Sequence, residues 1–435
     1  MRLYGTQTIR NNQLYIGGVN ALELAKTYGT PLYVMDEEEI RTRAGIFREN
    51  FRHEKIETEV IYASKAFMTK AMAKLIREEN LSLDVVSGGE LYTALSAGFP
   101  EEKIYFHGNN KSIEELDYAV TSKVGTMILD NEDEVDRLKR LLEEKDQTQR
   151  VILRVNPGIE AHTHEYISTT KNDSKFGASI FSEDTMSLIR SLEEDPVFDF
   201  RGIHCHIGSQ IFEEVSFFKA VEEMLRYMKK LKHNGIHVKE LNLGGGFGVS
   251  YEEKDEPMVY RTFLPKLLDH VAAISEKYEL MPPKVLIEPG RAIVANAGTT
   301  LYEVGGTKTT YGGKKFVFVD GSMADHIRTV LYDASYSAYL ANRMGDKQEE
   351  IYTVTGKACE SGDILVRDVS LPVPEKGDLL AVFSTGAYHY SMASNYNRLR
   401  KPAVVFVKDG KSRIVVKRET YEDLIRNDLT EEYEG

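Results

Sequence analysis

The chain has 435 residues, 42% hydrophobic and 28% charged, which is the composition of a globular protein large enough for two domains. Its net charge is −13, from 55 basic and 68 acidic residues, which argues against a nucleic-acid-binding surface. No apolar run approaches the ~20 residues that cross a bilayer. The amino terminus has no apolar signal core, and two cysteines are too few for a disulfide scaffold. We therefore expect a cytoplasmic protein with reduced thiols, bound to neither nucleic acid nor membrane.

The first thirty residues predict a small strand, QLYIGG (13–18), and a helix, VNALELAKTYG (19–29), which Gly29 closes. PLYVMD (31–36) and a helix from about Glu37 to Phe51 then lead into the largest part of the chain.

Eight short apolar runs lie between residues 60 and 291, with helical patterns between them. Most are rich in Val, Ile and Leu without strict alternation, which is typical of strands buried on both faces of a parallel sheet. Strand and helix alternating eight times predicts a (β/α)8 TIM barrel, whose active site lies at the carboxyl ends of the strands. The eight runs are VIYASKA (60–66), LSLDVVSGGE (81–90), IYFHGNN (104–110), TMILDN (126–131), VILRVNP (151–157), GIHCHIGSQ (202–210), LNLGGGFG (241–248) and VLIEPGR (285–291).

The sequence after Arg291 is rich in β-strand patterns and turns, with little helix. VVFV and SRIVV on either side of KDGK predict a hairpin. We therefore predict a barrel domain over 33–291, and a β-sandwich or β-barrel domain made of 292–435 together with 1–32.

Lys65 ends the first barrel run. A lone lysine is usually a solvated surface residue. In a partly desolvated barrel mouth, however, a lysine can lose its proton and form a Schiff base with an aldehyde. If that aldehyde is pyridoxal 5′-phosphate (PLP), the site also needs donors for the phosphate, a partner for the ring nitrogen and a flat neighbour for the ring face.

Three features match those needs. The glycines of GGGFG (244–248) follow the seventh strand, where this fold binds phosphates, although a glycine turn is the commoner explanation. Glu288 suits the ring nitrogen, although it could instead form a salt bridge with Arg291. His206 suits the ring face.

His204 and His206 also suggest a metal site, but the sequence shows no further cluster with ligand spacing, and a core histidine is the simpler interpretation of His204. We expect no metal.

Many motifs, in the same order along the chain, resemble those of the diaminopimelate decarboxylases. These are PLP enzymes of the alanine-racemase-like barrel type (fold type III). The resemblance runs from about residue 12 to 420. The motifs are IYASKA, DVVSGGELYTALSAGF, FHGNNKS, RVNPGIEAHTHEYI, DSKFG, HCHIGSQI, LNLGGGFG, EPGRAIV, VDGSMADHIRTVLYDA, CESGD and GAYHYSMASNYN.

This resemblance implies a role for each matching residue. Lys65, His206 and Cys359 would be catalytic: Lys65 would carry the cofactor, His206 would stack on its ring, and Cys359 would reach into the partner's site of a homodimer as proton donor. Glu288 would contact the pyridine nitrogen. The remaining cofactor-binding residues would be Asp84, Ser209, Gly245, Gly246, Pro289, Gly290, Arg291 and Tyr388. The substrate-binding residues would be Arg291, Arg328, Tyr332, Glu360 and Tyr388.

The residue patterns are compatible with these roles. Arg328 and Tyr332 are four apart and would share one helix face, and arginine suits a planar carboxylate. An isolated cysteine is more often core packing, but the glutamate and the Ser-Gly-Asp turn after Cys359 argue against burial. The chain departs from the family pattern at STTKN before DSKFG, at VDGSMADHIR, and at His389, where glycine is frequent.

The implied reaction is decarboxylation of meso-2,6-diaminopimelate to L-lysine and CO2, the last step of lysine biosynthesis. A related decarboxylase of ornithine, arginine or a glutamyl carrier protein is an alternative, but Arg328 with Glu360 favours a substrate that carries a distal carboxylate and ammonium. A racemase would need a second acid–base group, typically a tyrosine, in place of the cysteine turn. A non-catalytic PLP-binding protein would be a bare barrel, and a metal-dependent barrel hydrolase is the weakest alternative.

Overall fold

The computed structural model of the chain describes residues 1–159 and 175–430. Part of the motif RVNPGIEAHTHEYI (160–167) and the STTKN segment (168–172) lie outside the described residues. The chain divides into two compact units. We call them the barrel unit, Arg41–Val249 with Glu256–Ile293, and the sheet unit, Met1–Ile40 with Ser250–Asp255 and Val294–Gly435.

The amino-terminal elements match the predicted strand and helix. Helix α1 ends at the predicted glycine, because Gly29 adopts a φ of 72° and its N–H donates to the Ala25 carbonyl at 2.8 Å. The elements are β1 (Thr8–Arg10), β2 (Gln13–Ile16), β3 (Val19–Asn20), α1 (Ala21–Tyr28), β4 (Leu32–Asp36) and α2 (Glu37–Asn50).

Every predicted barrel run overlaps a strand. These strands are parallel, and the first one pairs with the last, which closes the barrel. The predicted (β/α)8 barrel is therefore confirmed. Its strands are β5 (Thr58–Ala63), β6 (Ser82–Val85), β7 (Ile104–Phe106), β8 (Thr126–Leu129), β9 (Gln149–Asn156), β11 (Phe198–His204), β12 (Glu240–Asn242) and β13 (Lys284–Ile287), and a short β10 (Ala178–Ser179) is added beside β9.

A helix follows each barrel strand. The first of them shows why these segments are helical: Met72, Leu75 and Ile76 form one buried stripe, and the Thr69 hydroxyl caps the amino end at 3.0 Å from the Met72 N–H. The helices are α3 (Lys70–Glu78), α4 (Gly88–Ser96), α5 (Ile113–Thr121), α6 (Glu132–Lys145), α7 (Glu183–Glu194), α8 (Glu214–His233), α9 (Tyr260–Lys277) and α10 (Arg291–Val294).

Apolar side chains fill the barrel interior. One buried cluster joins side chains from five strands: Ile61, Tyr105, Ile128, Ile152 and Leu286. Because side chains pack the interior of this fold, polar side chains that act together are expected at one of the two edges of the barrel.

The sheet unit is built on one large sheet in the order β18-β17-β15-β14-β4-β20-β21, and β19 pairs with both β14 and β16. The predicted hairpin is present, with Asp409 and Gly410 at positive φ between its strands. The elements are β14 (Gly298–Thr309), β15 (Lys315–Val319), β16 (Ala338–Leu340), β17 (Glu350–Thr355), β18 (Ile364–Leu371), β19 (Leu379–Phe383), β20 (Ala403–Lys408) and β21 (Lys411–Val416), with the short helices α11 (Arg328–Tyr332) and α12 (Tyr421–Ile425).

Strand β4 belongs to the sheet unit, although the sequence analysis placed residues from 33 onward with the barrel. It pairs with β14 and β20, and all five of its residues are buried. A continuous apolar run has the same pattern in either kind of buried sheet, so its partners could not be inferred from the run alone.

None of the described helices is long and apolar enough to cross a membrane.

Candidate active site

The side chains that were predicted to bind the cofactor in the barrel unit lie at the carboxyl ends of its strands. Lys65 lies in a 3-10 turn directly after β5, and Asp84 lies within β6 near its end. His206 and Glu288 follow β11 and β13. Because these strands are parallel and close into a barrel, the four side chains belong to one edge.

Glu288 is contacted by three buried polar side chains. Asn242 Nδ2 donates to Glu288 Oε1 at 2.7 Å, and His204 Nε2 lies 3.2 Å from Oε2. His107 Nε2 lies 2.7 Å from Oε1, at ion-pair distance but outside hydrogen-bond geometry. The position of the carboxylate is therefore fixed by groups from three other strand ends.

These neighbours keep Glu288 ionised. Burial alone would raise its pKa, but His107 and His204 outweigh burial and hold the pKa of Glu288 well below its usual range. Burial lowers the pKa of His204 to about 4, although Glu288 opposes that shift. The consistent assignment is a carboxylate on Glu288 that accepts the Nε2–H of a neutral His204.

Asp84 differs from Glu288 in both charge and contacts. Burial raises its pKa to about 7, while His107 opposes and Glu288 reinforces that shift. Its Oδ1 accepts no hydrogen bond from any described residue. A buried carboxyl group with an unpaired oxygen is costly unless it serves a ligand or a reaction.

The glycine loop after β12 fixes the His206 ring. The Gly245 N–H donates to His206 Nδ1 at 3.1 Å, which places the proton of the neutral ring on Nε2. Burial, followed by the charge of Lys65, lowers the pKa of His206 well below its usual value, so the ring is uncharged. A Cβ at position 245 would lie 2.4 Å from the Glu288 carbonyl oxygen, so the position requires glycine.

The loops after β11, β12 and β13 form a cluster of hydrogen-bond donors. Arg291 Nη2 donates to Ser209 Oγ at 3.0 Å and so joins the first and last of these loops. Among the described residues, the N–H groups of Gly246 and Gly290 have no acceptor. The Pro289 carbonyl accepts from the Ala63 N–H at 3.2 Å, which ties the last loop to the end of β5. Free backbone donors beside an arginine and a serine suit a phosphate group.

The sheet unit holds a second group of predicted residues. Arg328 and Tyr332 lie on helix α11, as their spacing predicts, with the guanidinium carbon 4.7 Å from the Tyr332 ring centroid. The same carbon lies 5.1 Å from the ring centroid of Tyr388. Such stacking restricts an arginine while leaving its nitrogens available for a carboxylate.

Cys359 and Glu360 occupy the turn between β17 and β18, as predicted. Cys359 is exposed, and its N–H donates to Asn397 Oδ1 at 2.7 Å. Glu360 Oε1 accepts from the Gly362 N–H at 3.2 Å, and its Oε2 lies 3.5 Å from the Tyr396 hydroxyl. The turn is thus anchored to residues 396 and 397 of the sheet unit.

A model of the pyridoxal-dependent decarboxylases, for the pyridoxal binding domain, matches residues 37–295. The diaminopimelate decarboxylase of Bacillus subtilis (strain 168) is 49% identical over 433 residues, which cover 99% of this chain and 98% of the relative. The chain belongs to the diaminopimelate decarboxylase family.

Other members of the family agree with this assignment. The diaminopimelate decarboxylase of Staphylococcus aureus (strain COL) is 46% identical and covers 96% of this chain and 98% of the relative. The crystal structure of diaminopimelate decarboxylase from M. jannaschii in complex with L-lysine is 33% identical, covers 99% of both chains and has a TM-score of 0.92. The predictions of the family, of a PLP-dependent enzyme and of a barrel with a separate sheet domain are confirmed.

The residues of the barrel edge fit PLP. Lys65 is exposed after β5, the glycine loop brings backbone close to the neighbouring loops, and Gly246 and Gly290 offer unpaired N–H groups among the described residues. An ionised Glu288 matches a protonated ring nitrogen. The roles of the individual residues stay predictions.

The sequence did not predict the residues that hold Glu288 in place. His204 was interpreted as a core histidine, yet its Nε2 contacts Glu288. Asn242 was not predicted either, although a polar residue within the apolar strand LNLGGG was an available signal.

His107, His204 and Glu288 also offer ligand atoms within 4.8 Å of one another, so these three residues could hold a metal ion by distance alone. The histidine pair that suggested a metal in the sequence was a different one, His204 with His206.

Proposed function

We propose that this chain decarboxylates meso-2,6-diaminopimelate to L-lysine and CO2, with PLP as cofactor, as the last step of lysine biosynthesis. The observation that carries the proposal is the ionised Glu288, held by His107, His204 and Asn242 at the barrel edge that also presents Lys65. When bound, PLP accepts the electron pair that the departing CO2 leaves behind. A fixed carboxylate against the ring nitrogen keeps that nitrogen protonated and so strengthens the electron sink.

The barrel residues bind and orient the cofactor. Lys65 would hold it covalently, and His206, which is uncharged, would lie against its ring. Ser209, Arg291 and the N–H groups of Gly246 and Gly290 bind the phosphate, with Gly245 and Pro289 shaping the loops around it. Asp84 and Tyr388 complete the cofactor-binding set.

The sheet-unit residues bind the substrate and supply the proton. Arg328 and Tyr332 bind the distal carboxylate, Arg291 contributes to carboxylate binding, and Glu360 binds the distal ammonium. Tyr388 contacts the substrate as well as the cofactor. The Cys359 thiol delivers a proton to the carbon that has lost CO2. One C–C bond breaks, one C–H bond forms, and the proton that enters replaces the carboxyl group.

Product analysis tests this function directly. Purified protein reconstituted with PLP is incubated separately with meso-diaminopimelate, L-ornithine and L-arginine. We expect equal amounts of L-lysine and CO2 from meso-diaminopimelate and no comparable product from the other two amino acids. Ornithine or arginine as the preferred substrate would contradict the proposal.

Glu360→Ala should remove selectivity for the distal ammonium. Glu360 is exposed in the single chain, so its selectivity comes from a charge-assisted contact that only a ligand with a distal ammonium can make. We expect KM for meso-diaminopimelate to rise and the preference over analogues with a single amino group to disappear. Glu375→Ala, at an exposed position after β18, is the matched control and should leave both quantities unchanged. Discrimination that survives in Glu360→Ala would assign the distal end to another residue.

We also infer a cytoplasmic homodimer with shared active sites. Cys359 is exposed on the turn between β17 and β18, which leaves its thiol accessible to a second chain and so supports a shared site. Both cysteines are free thiols, which supports a reducing compartment.

Mixing two inactive variants tests the shared site. Lys65→Ala and Cys359→Ala should each be inactive alone, whereas a mixed dimer has one site that lacks both groups and one that is intact. Random pairing makes half the dimers mixed, so about a quarter of wild-type activity should return. Subunit exchange is verified separately with differently tagged chains. Confirmed exchange without recovered activity would mean that Cys359 serves its own chain or is not the proton donor.

A further inference from the structure

The contacts of Arg328 with described residues leave one edge of its guanidinium open. Its side chain is buried, and the Tyr332 and Tyr388 rings lie 4.7 and 5.1 Å from its central carbon. Its Nε donates to the Tyr336 hydroxyl at 3.1 Å. Among the described residues, no acceptor contacts its two terminal nitrogens. The open edge is therefore the one that binds a carboxylate through two parallel hydrogen bonds.

The chemical nature of the Nε partner matters. A carboxylate in that place would also orient the guanidinium, but it would neutralise the charge that a ligand carboxylate needs. The Tyr336 hydroxyl is an uncharged acceptor, so it orients Arg328 and leaves its full positive charge for a ligand.

Tyr336 is itself held by ring contacts. His326 lies 4.8 Å from it at 76° and His389 lies 5.1 Å from it at 83°, both edge-on. The two histidines also contact each other, with centroids 4.5 Å apart. Tyr251 completes the enclosure at 5.2 Å.

The two histidines differ in their hydrogen-bond environment. His326 is fully buried, and neither of its ring nitrogens hydrogen-bonds to a described residue. The His389 Nδ1 lies 3.0 Å from the Ala387 carbonyl, which fixes the orientation of that ring. Two histidines that are distant in sequence thus contact one tyrosine.

We infer that Tyr336 is a positioning residue that aims Arg328 at the distal carboxylate of the substrate, and that His326 and His389 act by holding the Tyr336 ring. The inference rests on the proposed function for the identity of that substrate. Decarboxylation at one end of diaminopimelate leaves the other carboxylate in place, so L-lysine keeps the group that Arg328 would bind. 1,5-Diaminopentane lacks it, which makes these two compounds a matched pair of probes.

Tyr336→Phe removes the acceptor and keeps the ring. With the PLP-loaded protein we expect KM for meso-diaminopimelate to rise about tenfold, on the scale of one hydrogen bond to a charged group, with kcat within about twofold. The dissociation constant of L-lysine, measured by calorimetry, should rise by a similar factor, and that of 1,5-diaminopentane should not change. Tyr352→Phe is the matched control, because Tyr352 is another buried tyrosine of the sheet unit whose hydroxyl donates to a carboxylate, at 2.6 Å from Glu350.

The same two quantities, KM and the dissociation constant of L-lysine, test the role of His389. His389→Gly should raise KM and weaken L-lysine binding several-fold, whereas His389→Phe, which keeps a ring, should restore both. In a Tyr336→Phe background, His389→Gly should have no further effect on L-lysine binding, because its effect passes through the hydroxyl that is already absent.

Three outcomes would overturn the inference. These are unchanged L-lysine binding in Tyr336→Phe, equal weakening of 1,5-diaminopentane, and additive losses in the double variant. If wild-type protein formed no L-lysine from meso-diaminopimelate, the proposed function would fail, and the calorimetric comparison of the two probes would still decide the role of Tyr336.

Discussion

Lys65→Ala should abolish both covalent retention of PLP and turnover of meso-diaminopimelate. Lys65 is the lysine in the turn directly after β5, where the closed barrel presents the ends of its strands together. Without its amine the cofactor has no covalent attachment, and no other group at that position can replace it. The expected loss is complete within the sensitivity of a product assay.

Borohydride reduction followed by mass spectrometry measures the attachment. Wild-type protein should keep the cofactor on a peptide that contains Lys65 after denaturation, and Lys65→Ala should keep none there. Lys70→Ala is the matched control, because Lys70 is an exposed lysine at the start of α3 and should behave as wild type. Turnover by Lys65→Ala, or a cofactor label on a different lysine of the wild type, would contradict the assignment.

Glu288→Gln should retain PLP but decarboxylate on the order of 100-fold more slowly, a loss of about 3 kcal/mol of transition-state stabilisation. The carboxylate accepts contacts on both oxygens, from Asn242 on Oε1 and from His204 on Oε2. An amide has one oxygen, so its NH2 end would face a donor and its charge would be absent. Absorbance of the bound cofactor and single-turnover rates would separate binding from chemistry.

A buried glutamate at the opposite edge of the barrel is the control. Glu240 begins β12 and is contacted by Arg150 at 2.8 Å and Arg201 at 3.1 Å. Glu240→Gln should lower stability, because it leaves the half-buried Arg150 and Arg201 with an uncharged partner, and should spare kcat. A near-wild-type rate in Glu288→Gln would show that Glu288 is structural.

Local patterns were sufficient for the elements of the fold. The apolar runs predict the barrel strands because burial on both faces removes alternation, and Gly29 predicts the end of α1 because that position needs a positive φ. Lys65, Glu288 and the glycine loop could also be selected from sequence, because parallel strands in a closed barrel bring their carboxyl ends together.

The assignment of β4 shows where local patterns stop. Its apolar run predicts a buried strand, and the structure has one there. Its pairing with β14 and β20, however, depends on residues hundreds of positions away. No local property of PLYVMD distinguishes those partners from barrel strands.

The sequence was enough to predict the barrel and the family, and to select Lys65 and the glycines of GGGFG as candidates for cofactor binding. Only the tertiary structure decided which groups support them: the contacts of His107, His204 and Asn242 with Glu288, and the enclosure of Tyr336 by His326 and His389. The physical reason is that strand and turn preferences act between neighbours in the chain. The ionisation state of a buried carboxylate and the orientation of an arginine side chain are instead set by atoms that only folding brings within a few ångströms of them.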